Sequence, residues 1–228
     1  TDVQAGNGVV HVIDRVILPA DKTIVQTAQA LPQFSILVEA VVAADLAGAL
    51  SGSGPFTVFA PTNDAFAALL AELGVSKDAL LADKPLLTAV LTYHVLPARV
   101  ERAQVPLGQP ITTAQGGIFK IDAVGQNLVV TDGRNRTANI TATDVQASNG
   151  VVHVIDKVIL PADKNIVQTA QALPQFSILV EAVVAADLAG ALSGDGPFTV
   201  FAPTNDAFVA LLAELGVSKE ALLADTAL

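Results

Sequence analysis

No cysteine occurs anywhere in the 228 residues, so a disulfide framework, a thiolate metal site and a thiol nucleophile are all excluded. Aromatic residues are scarce at 4%, which leaves little to stack against nucleobases. Charge is sparse and lopsided: 12 Lys and Arg stand against 22 Asp and Glu, a net charge of −10. An acidic surface repels phosphate backbones and anionic lipid, so no nucleic-acid partner is expected. Long apolar runs are missing as well. The richest, Ile36 to Leu50, is interrupted by Glu39 and Asp45 and falls short of the roughly 18–20 residues that cross a bilayer. It reads as a core helix, and no membrane span is expected in this sequence. The chain starts at Thr1 without a basic and apolar leader; any signal peptide is expected to lie outside it or to have been removed.

What is abundant is small apolar side chains. Apolar residues make up 52% of the chain, enough to fill a core, whereas a disordered chain shows the opposite balance. The order of those residues repeats. Thr1 matches Thr143, His11 matches His153, Phe56 matches Phe198 and Leu86 matches Leu228, at a constant offset of 143 − 1 = 142. Over the 86 overlapping positions eight differ: Gly6/Ser148, Arg15/Lys157, Thr23/Asn165, Ser53/Asp195, Ala67/Val209, Asp78/Glu220, Lys84/Thr226 and Pro85/Ala227. A period of this length is too long for a solenoid unit of about 20–50 residues and has the size of a domain.

Along the chain, Asn7-Gly8 marks a tight turn and Val9 to Leu18, closed by Pro19, reads as a buried strand. Ile24, Val25, Ala28 and Leu31 stand at helical spacing before Pro32. Ser35 is placed to cap a longer helix, Ile36 to Leu50, with Gly52 at its C-terminal end. Phe56 to Phe59 is a strand ending at Pro61, and Thr62 or Asn63 opens the next helix. Gly74 ends that helix, Ser76 and Asp83 cap two more, and Pro97 stops the last. From Arg99 short strands follow, Ile118 to Val124, Leu128 to Thr131, Ala138 to Asp144 and Val151 to Leu160, separated by glycine-rich turns. Helices followed by strands mean α+β. The helical half then returns from Asn165 without a second β half.

The segments Thr57-Val58-Phe59-Ala60-Pro61-Thr62-Asn63-Asp64-Ala65-Phe66, Tyr93-His94 and Asn149-Gly150-Val151-Val152-His153-Val154-Ile155-Asp156 together resemble the fasciclin-like domain family. All three signatures fall in family order within residues 23–164. The resemblance implies an α+β wedge, a β-sandwich with packed N-terminal helices, tandemly repeated. It divides the chain into a C-terminal strand segment of a preceding repeat (1–22), a complete domain (23–164) and the N-terminal helical half of a following repeat (165–228). It also implies extracellular or cell-surface proteins that work in adhesion and matrix cohesion.

Among candidate sites, Tyr93 and His94 come first, because the family resemblance associates this pair with adhesion and histidine titrates near neutrality. The competing reading is a buried pair satisfied by neighbouring backbone. His11 and His153 are flanked by valines and read as sheet residues. Three histidines without a His-x-His spacing and without cysteine make no zinc site, and no metal or cofactor is expected. Asp64, Asp206, Asp14 and Asp156 suit helix starts and turns. Ser51-Gly52-Ser53-Gly54 lacks the lysine of a phosphate loop, and no Gly-x-Ser-x-Gly elbow occurs. Asn135-Arg136-Thr137 and Asn139-Ile140-Thr141 are glycosylation sequons if the source is eukaryotic. No catalytic residue is expected. The expected function is an extracellular adhesion or matrix- and fibre-forming structural protein of near-identical tandem domains, assembling head-to-tail or by segment swapping, whose partners are other copies of itself and cell-surface or matrix polysaccharide or protein. The alternative is a glycan- or small-ligand-binding module with a pocket near Tyr93-His94.

Overall fold

The computed structural model describes residues 2–14, 16, 19–194, 196 and 198–224. Arg15, Ile17 and Leu18 of the first expected strand, Pro197 of the second motif copy and residues 225–228 lie outside the described residues. The chain divides into two units, one up to Pro161 and one from Ala162.

The first unit opens with a hairpin, β1 (Asp2–Ala5) and β2 (Gly8–His11), which pair only with each other among the described residues. Helices α1 (Ile24–Gln29), α2 (Ser35–Ala43) and α3 (Ala47–Leu50) follow. Thr23 closes the start of α1 with a reciprocal capping box: its hydroxyl accepts from the Gln26 N–H, and the Gln26 side chain accepts from the Thr23 N–H. The expected single helix from Ile36 to Leu50 is two helices. Asp45 adopts a left-handed conformation, φ 57°, and the Leu46 N–H returns to the Val41 carbonyl while the Asp45 N–H returns to Val42. That is a Schellman ending with aspartate in place of glycine. Ser35 is the first helical residue and not the cap; its hydroxyl accepts from the Asn63 amide instead.

Strand β3 (Phe56–Pro61) leads into α4 (Asn63–Leu73), then α5 (Lys77–Ala82) and α6 (Lys84–Tyr93). Thr62, Ser76 and Asp83 cap these three helices through their side chains, as their positions predict. The β half contains β4 (Val95–Leu96), β5 (Pro110–Thr112), β6 (Ile118–Val124), β7 (Asn127–Thr131), β8 (Thr137–Ala147) and β9 (Gly150–Ile155). All seven strands from β3 onward form one mixed sheet in the order β4-β3-β9-β8-β7-β6-β5. β3 and β9 run parallel, Phe56 opposite Gly150 through Pro61 opposite Ile155, and the other pairs are antiparallel. The sandwich is therefore a single sheet that wraps almost into a barrel. Every strand contributes to the apolar cluster inside it, from Phe59 and Leu96 through Phe119, Ile121 and Val130 to Ile155. A second cluster lies between the sheet and the helices, built on Val58, Ala60, Val152 and Val154 against Phe34, Leu37, Phe66 and Leu87. Alternate residues of β3 and β9 feed the two clusters, as period-two side chains on a sheet covered on both faces must.

The chain enters and leaves this domain at opposite ends of β8. The Ser148 N–H donates to the Lys22 carbonyl at 2.8 Å, beside the β8–β9 turn. The Gly133 N–H holds the Leu160 carbonyl, and Arg134 Nε donates to the Pro161 carbonyl, both at the β7–β8 turn. Between those turns lie the eleven residues of β8, roughly 35 Å at a strand's rise per residue.

Sequence-identical segments differ sharply between the copies. The run from Val9, expected to be buried, is an exposed edge: Val10 is 55% exposed, while Val152, its counterpart in β9, is 4% exposed. Residues 150–155 are buried because β3 and β8 flank them, whereas among the described residues β2 pairs only with β1. The expected strand from Val151 to Leu160 also ends early, at Ile155.

The second unit repeats the helical half as α7 (Ile166–Gln171), α8 (Ser177–Ala185), α9 (Ala189–Leu192), α10 (Asn205–Leu215) and α11 (Lys219–Ala224). Local chemistry is reproduced: Asn165 replaces Thr23 and keeps the capping box, and Asp187 keeps the left-handed break at φ 55°. Residues 198–203, whose counterpart is β3, form no strand.

Candidate functional site

The Tyr93-His94 pair sits where α6 ends and the chain turns into β4, and both side chains are buried. The Tyr93 hydroxyl donates to the Ile118 carbonyl at 2.5 Å, and its ring meets Phe119 edge-on at 6.0 Å. Burial, opposed by the Gly133 backbone N–H, pushes the phenol up to about 12. His94 is held from both ring nitrogens. Nδ1 lies 2.7 Å from the Val90 carbonyl and Nε2 accepts from the Ile159 N–H at 3.1 Å. A carbonyl can only accept and an N–H can only donate, so the ring is neutral with its proton on Nδ1. Burial lowers its pKa to about 4, partly offset by the Val90 carbonyl. The hollow beside His94, lined by Leu37, Val41, Leu91 and Val95 among others, has a volume of about 30 Å³ and is apolar.

A histidine kept neutral by the fold makes stability fall with acid. Its folded pKa lies below the unfolded value of 6.5, so below pH 6.5 the unfolded chain takes up a proton that the folded chain refuses until about pH 4. Stability from this group is complete above pH 6.5 and declines as pH falls, by up to about 3 kcal/mol at pH 4. Denaturant titrations between pH 7 and pH 5 should show that slope. His94→Gln should flatten it, whatever it does to absolute stability; an unchanged slope would contradict the buried neutral ring.

The other motif residues build joints. The Thr57 hydroxyl donates to the Ala98 carbonyl and accepts from the Val100 N–H. Asn63 accepts from the Ile36 N–H and donates to the Pro32 carbonyl, fixing the start of α4 against the entry to α2; Asn205 repeats these contacts with Ile178 and Pro174. Asp64 lies in the first turn of α4, where a carboxylate suits the helix dipole. Asp156 grips the Asn139 backbone and amide, and that amide belongs to the second glycosylation sequon. His153 is buried between the Val100 carbonyl at Nε2 and the Asp144 N–H at Nδ1.

Asn149 joins three elements. Its Oδ1 accepts from the Ile24 N–H at 2.9 Å, and its Nδ2 donates to the Leu50 and Gly52 carbonyls, both at 2.8 Å. Gly150 follows because a Cβ there would fall 2.0 Å from the Phe56 carbonyl oxygen. Asn149→Ala should cost about 3 kcal/mol, since buried backbone partners are left unsatisfied. Asn7→Ala, the same change in an exposed turn, should stay within about 0.5 kcal/mol in dilute solution. Equal losses in denaturant unfolding would refute the assignment.

One cluster escaped the sequence reading. The Asp132 carboxylate, its side chain 1% exposed, accepts from the backbone N–H groups of Arg134, Arg136 and Leu160. It also takes a two-pronged ion pair from Arg136 Nε and a terminal nitrogen at 3.0 and 2.9 Å. Arg136 continues to Glu72 on α4 and to the Val158 carbonyl. The signal available, Asp132-Gly133 followed by Asn135-Arg136, spells only a turn. Among the described residues no group of three or more His, Asp or Glu could hold a metal ion. No helix among them is long and apolar enough to cross a membrane.

The family model described as Fasciclin domain matches residues 32–161 and 174–226. A Synechocystis protein, sll1483, is 47% identical over 154 residues, covering 66% of this chain and 79% of its own length. Human periostin is 34% identical over 205 residues, covering 90% of this chain and 23% of its own length. A solved FAS1 domain pair from the insect cell adhesion molecule fasciclin I is 19% identical, with a TM-score of 0.44, over 82% of this chain and 65% of that one. The chain thus spans most of the Synechocystis protein and under a quarter of periostin.

Proposed function

Because this chain belongs to the fasciclin domain family, we propose that it is an extracellular or cell-surface structural protein, built of near-identical tandem domains and working in adhesion or matrix cohesion. The observation that carries this reading is where the polar chemistry is engaged. Tyr93, His94, Thr57, Asn63, Asn149, His153 and Asp132 all bind backbone or a neighbouring side chain of the same domain, most of them fully buried. These groups support a scaffold and leave none poised for turnover. The partners in this reading are other copies of the chain, with surface or matrix polysaccharide or protein as a second class. Tandem display would raise weak single contacts to useful avidity. A ligand pocket at Tyr93-His94 would need the pair to open first.

A surface coated with the 228-residue chain should retain cells in a flow chamber several-fold better than an albumin coating. Retention should climb more steeply than coating density, as multivalent contacts add. Retention equal to albumin at every density would remove the adhesive reading.

A further inference from the structure

A cleft of about 370 Å³ opens in the complete domain between α4 and the start of β8, a volume within the range of about 300–1,000 Å³ that small-ligand sites occupy. Ala68, Leu69 and Glu72, on one face of α4, line one side. Asn135, Arg136 and Thr137, the residues of the first sequon, line the other, and Lys157 and Val158 complete it. Its charges are unevenly satisfied. Arg136 gives Nε and one terminal nitrogen to the buried Asp132 and to the Val158 carbonyl. Its other terminal nitrogen, Nη1, reaches Glu72 at 3.1 and 2.9 Å, a side chain that is 56% exposed. Lys157 is exposed, and its ammonium, like the side chains of Asn135 and Thr137, has no partner among the described residues. The matching position of the other copy is Arg15, so the sequence places a cation there twice.

We infer that this cleft binds an acidic sugar. The sugar carboxylate lies between Lys157 Nζ and Arg136 Nη1, and its hydroxyls meet Asn135 and Thr137. Glu72 is then a built-in competitor for the same guanidinium. What Arg136 already takes at Nη1 is a carboxylate, the group a guanidinium recognises best. An exposed ion pair contributes little. A ligand that brings its own carboxylate and also neutralises Lys157 therefore displaces Glu72 at small cost. A bare carboxylate would leave the amide, the hydroxyl and the apolar floor of Ala68, Leu69 and Val158 unused. A pyranose ring carries hydroxyls at its rim and C–H groups on its face, and it engages all of them. The net charge of −10 opposes a polyanion at long range, yet screening confines that repulsion to about 8 Å at physiological salt. The neighbouring carboxylates Asp132 and Asp156 already accept from N–H groups of the domain. The inference rests on the polysaccharide part of the reading above, and cohesion between copies does not depend on it.

Titration calorimetry of the 228-residue chain with a galacturonic acid trimer should show binding that weakens as salt rises. A neutral galactose trimer and acetate should each bind roughly tenfold more weakly or worse. Lys157→Gln should lower affinity for the acidic trimer by roughly tenfold or more; the residue is exposed and unpaired, so the fold survives its loss. Glu72→Gln should raise affinity several-fold, because the competitor is gone. Lys120→Gln, which removes an exposed cation paired with Asp122 on β6, should leave it unchanged. No binding, equal binding of the neutral trimer or of acetate, or equal effects of Lys157→Gln and Lys120→Gln would overturn the inference. A fall in affinity for Glu72→Gln would overturn it too, as would tighter binding of a glutamate-rich peptide, which would give the cleft to a protein partner. Trimer binding with no cell retention would sink adhesion and leave the sugar site standing, and retention without trimer binding would do the reverse.

Discussion

Phe59→Ala should destabilise the complete domain by about 4 kcal/mol, and Phe201→Ala, the same substitution in the same local sequence, by less than about 0.5 kcal/mol. Phe59 is 1% exposed and Phe201 is 91% exposed. Inside the curled sheet the Phe59 ring stands edge-on to Phe119 at 5.1 Å and tilts over His153 at 5.3 Å. Removing it leaves a cavity that surrounding strands, hydrogen-bonded on both sides, close only in part. The single tyrosine of the chain, in the absence of tryptophan, makes intrinsic fluorescence a probe of the complete domain alone. Denaturant unfolding followed through Tyr93 should show the midpoint move for one variant and stay for the other. Similar shifts in both would mean that the second copy is packed as the first is.

Asp132→Ala should cost about 4 kcal/mol by the same probe. The loss has two sources. Three backbone N–H groups lose their acceptor, and the Arg136 guanidinium, 27% exposed, keeps its charge after losing a buried partner. Glu72 and the Val158 carbonyl remain to it, which limits the damage. Breaking half of a buried pair costs more than removing both halves, so Asp132→Ala with Arg136→Leu should recover part of the loss relative to the sum of the singles. Strict additivity would show that the pair contributes nothing beyond its separate hydrogen bonds.

Features encoded within a few residues were legible in the sequence. The capping residues Thr62, Ser76 and Asp83, the strand–helix joint at 56–66 and the turn at Asn149-Gly150 follow from local chemistry and stand where they were expected. What depends on distant partners was not. Asp132 looks like a turn residue because Glu72 and Leu160, which complete its cluster, lie far away along the chain. Val95–Leu96 passes for the tail of a helix until β3 pairs with it. Asp45 ends α2 through a backbone conformation that glycine would have advertised. The clearest case is Phe56–Pro61 against 198–203: six identical residues are a strand in one place and unpaired in the other. Local preference permits the strand, and a neighbour 150 − 56 = 94 residues away, Gly150 opposite Phe56, makes it. Of the candidate site, the identity of Tyr93 and His94 was visible. Their inward direction and the fixed tautomer of the ring were not, because both are set by Ile118 and Ile159.

The separation of Lys22 and Pro161 at opposite ends of β8 has a mechanical consequence. Tension passed along a string of such domains would run lengthwise through β8 and β9, across ladders whose hydrogen bonds lie transverse to the strands. Under that load the bonds are sheared together; they are not peeled open singly. Pulling a single chain by residues 22 and 161 should then give one abrupt rupture for the domain, and a gradual staircase would contradict it. A domain held this way would resist stretching along β8.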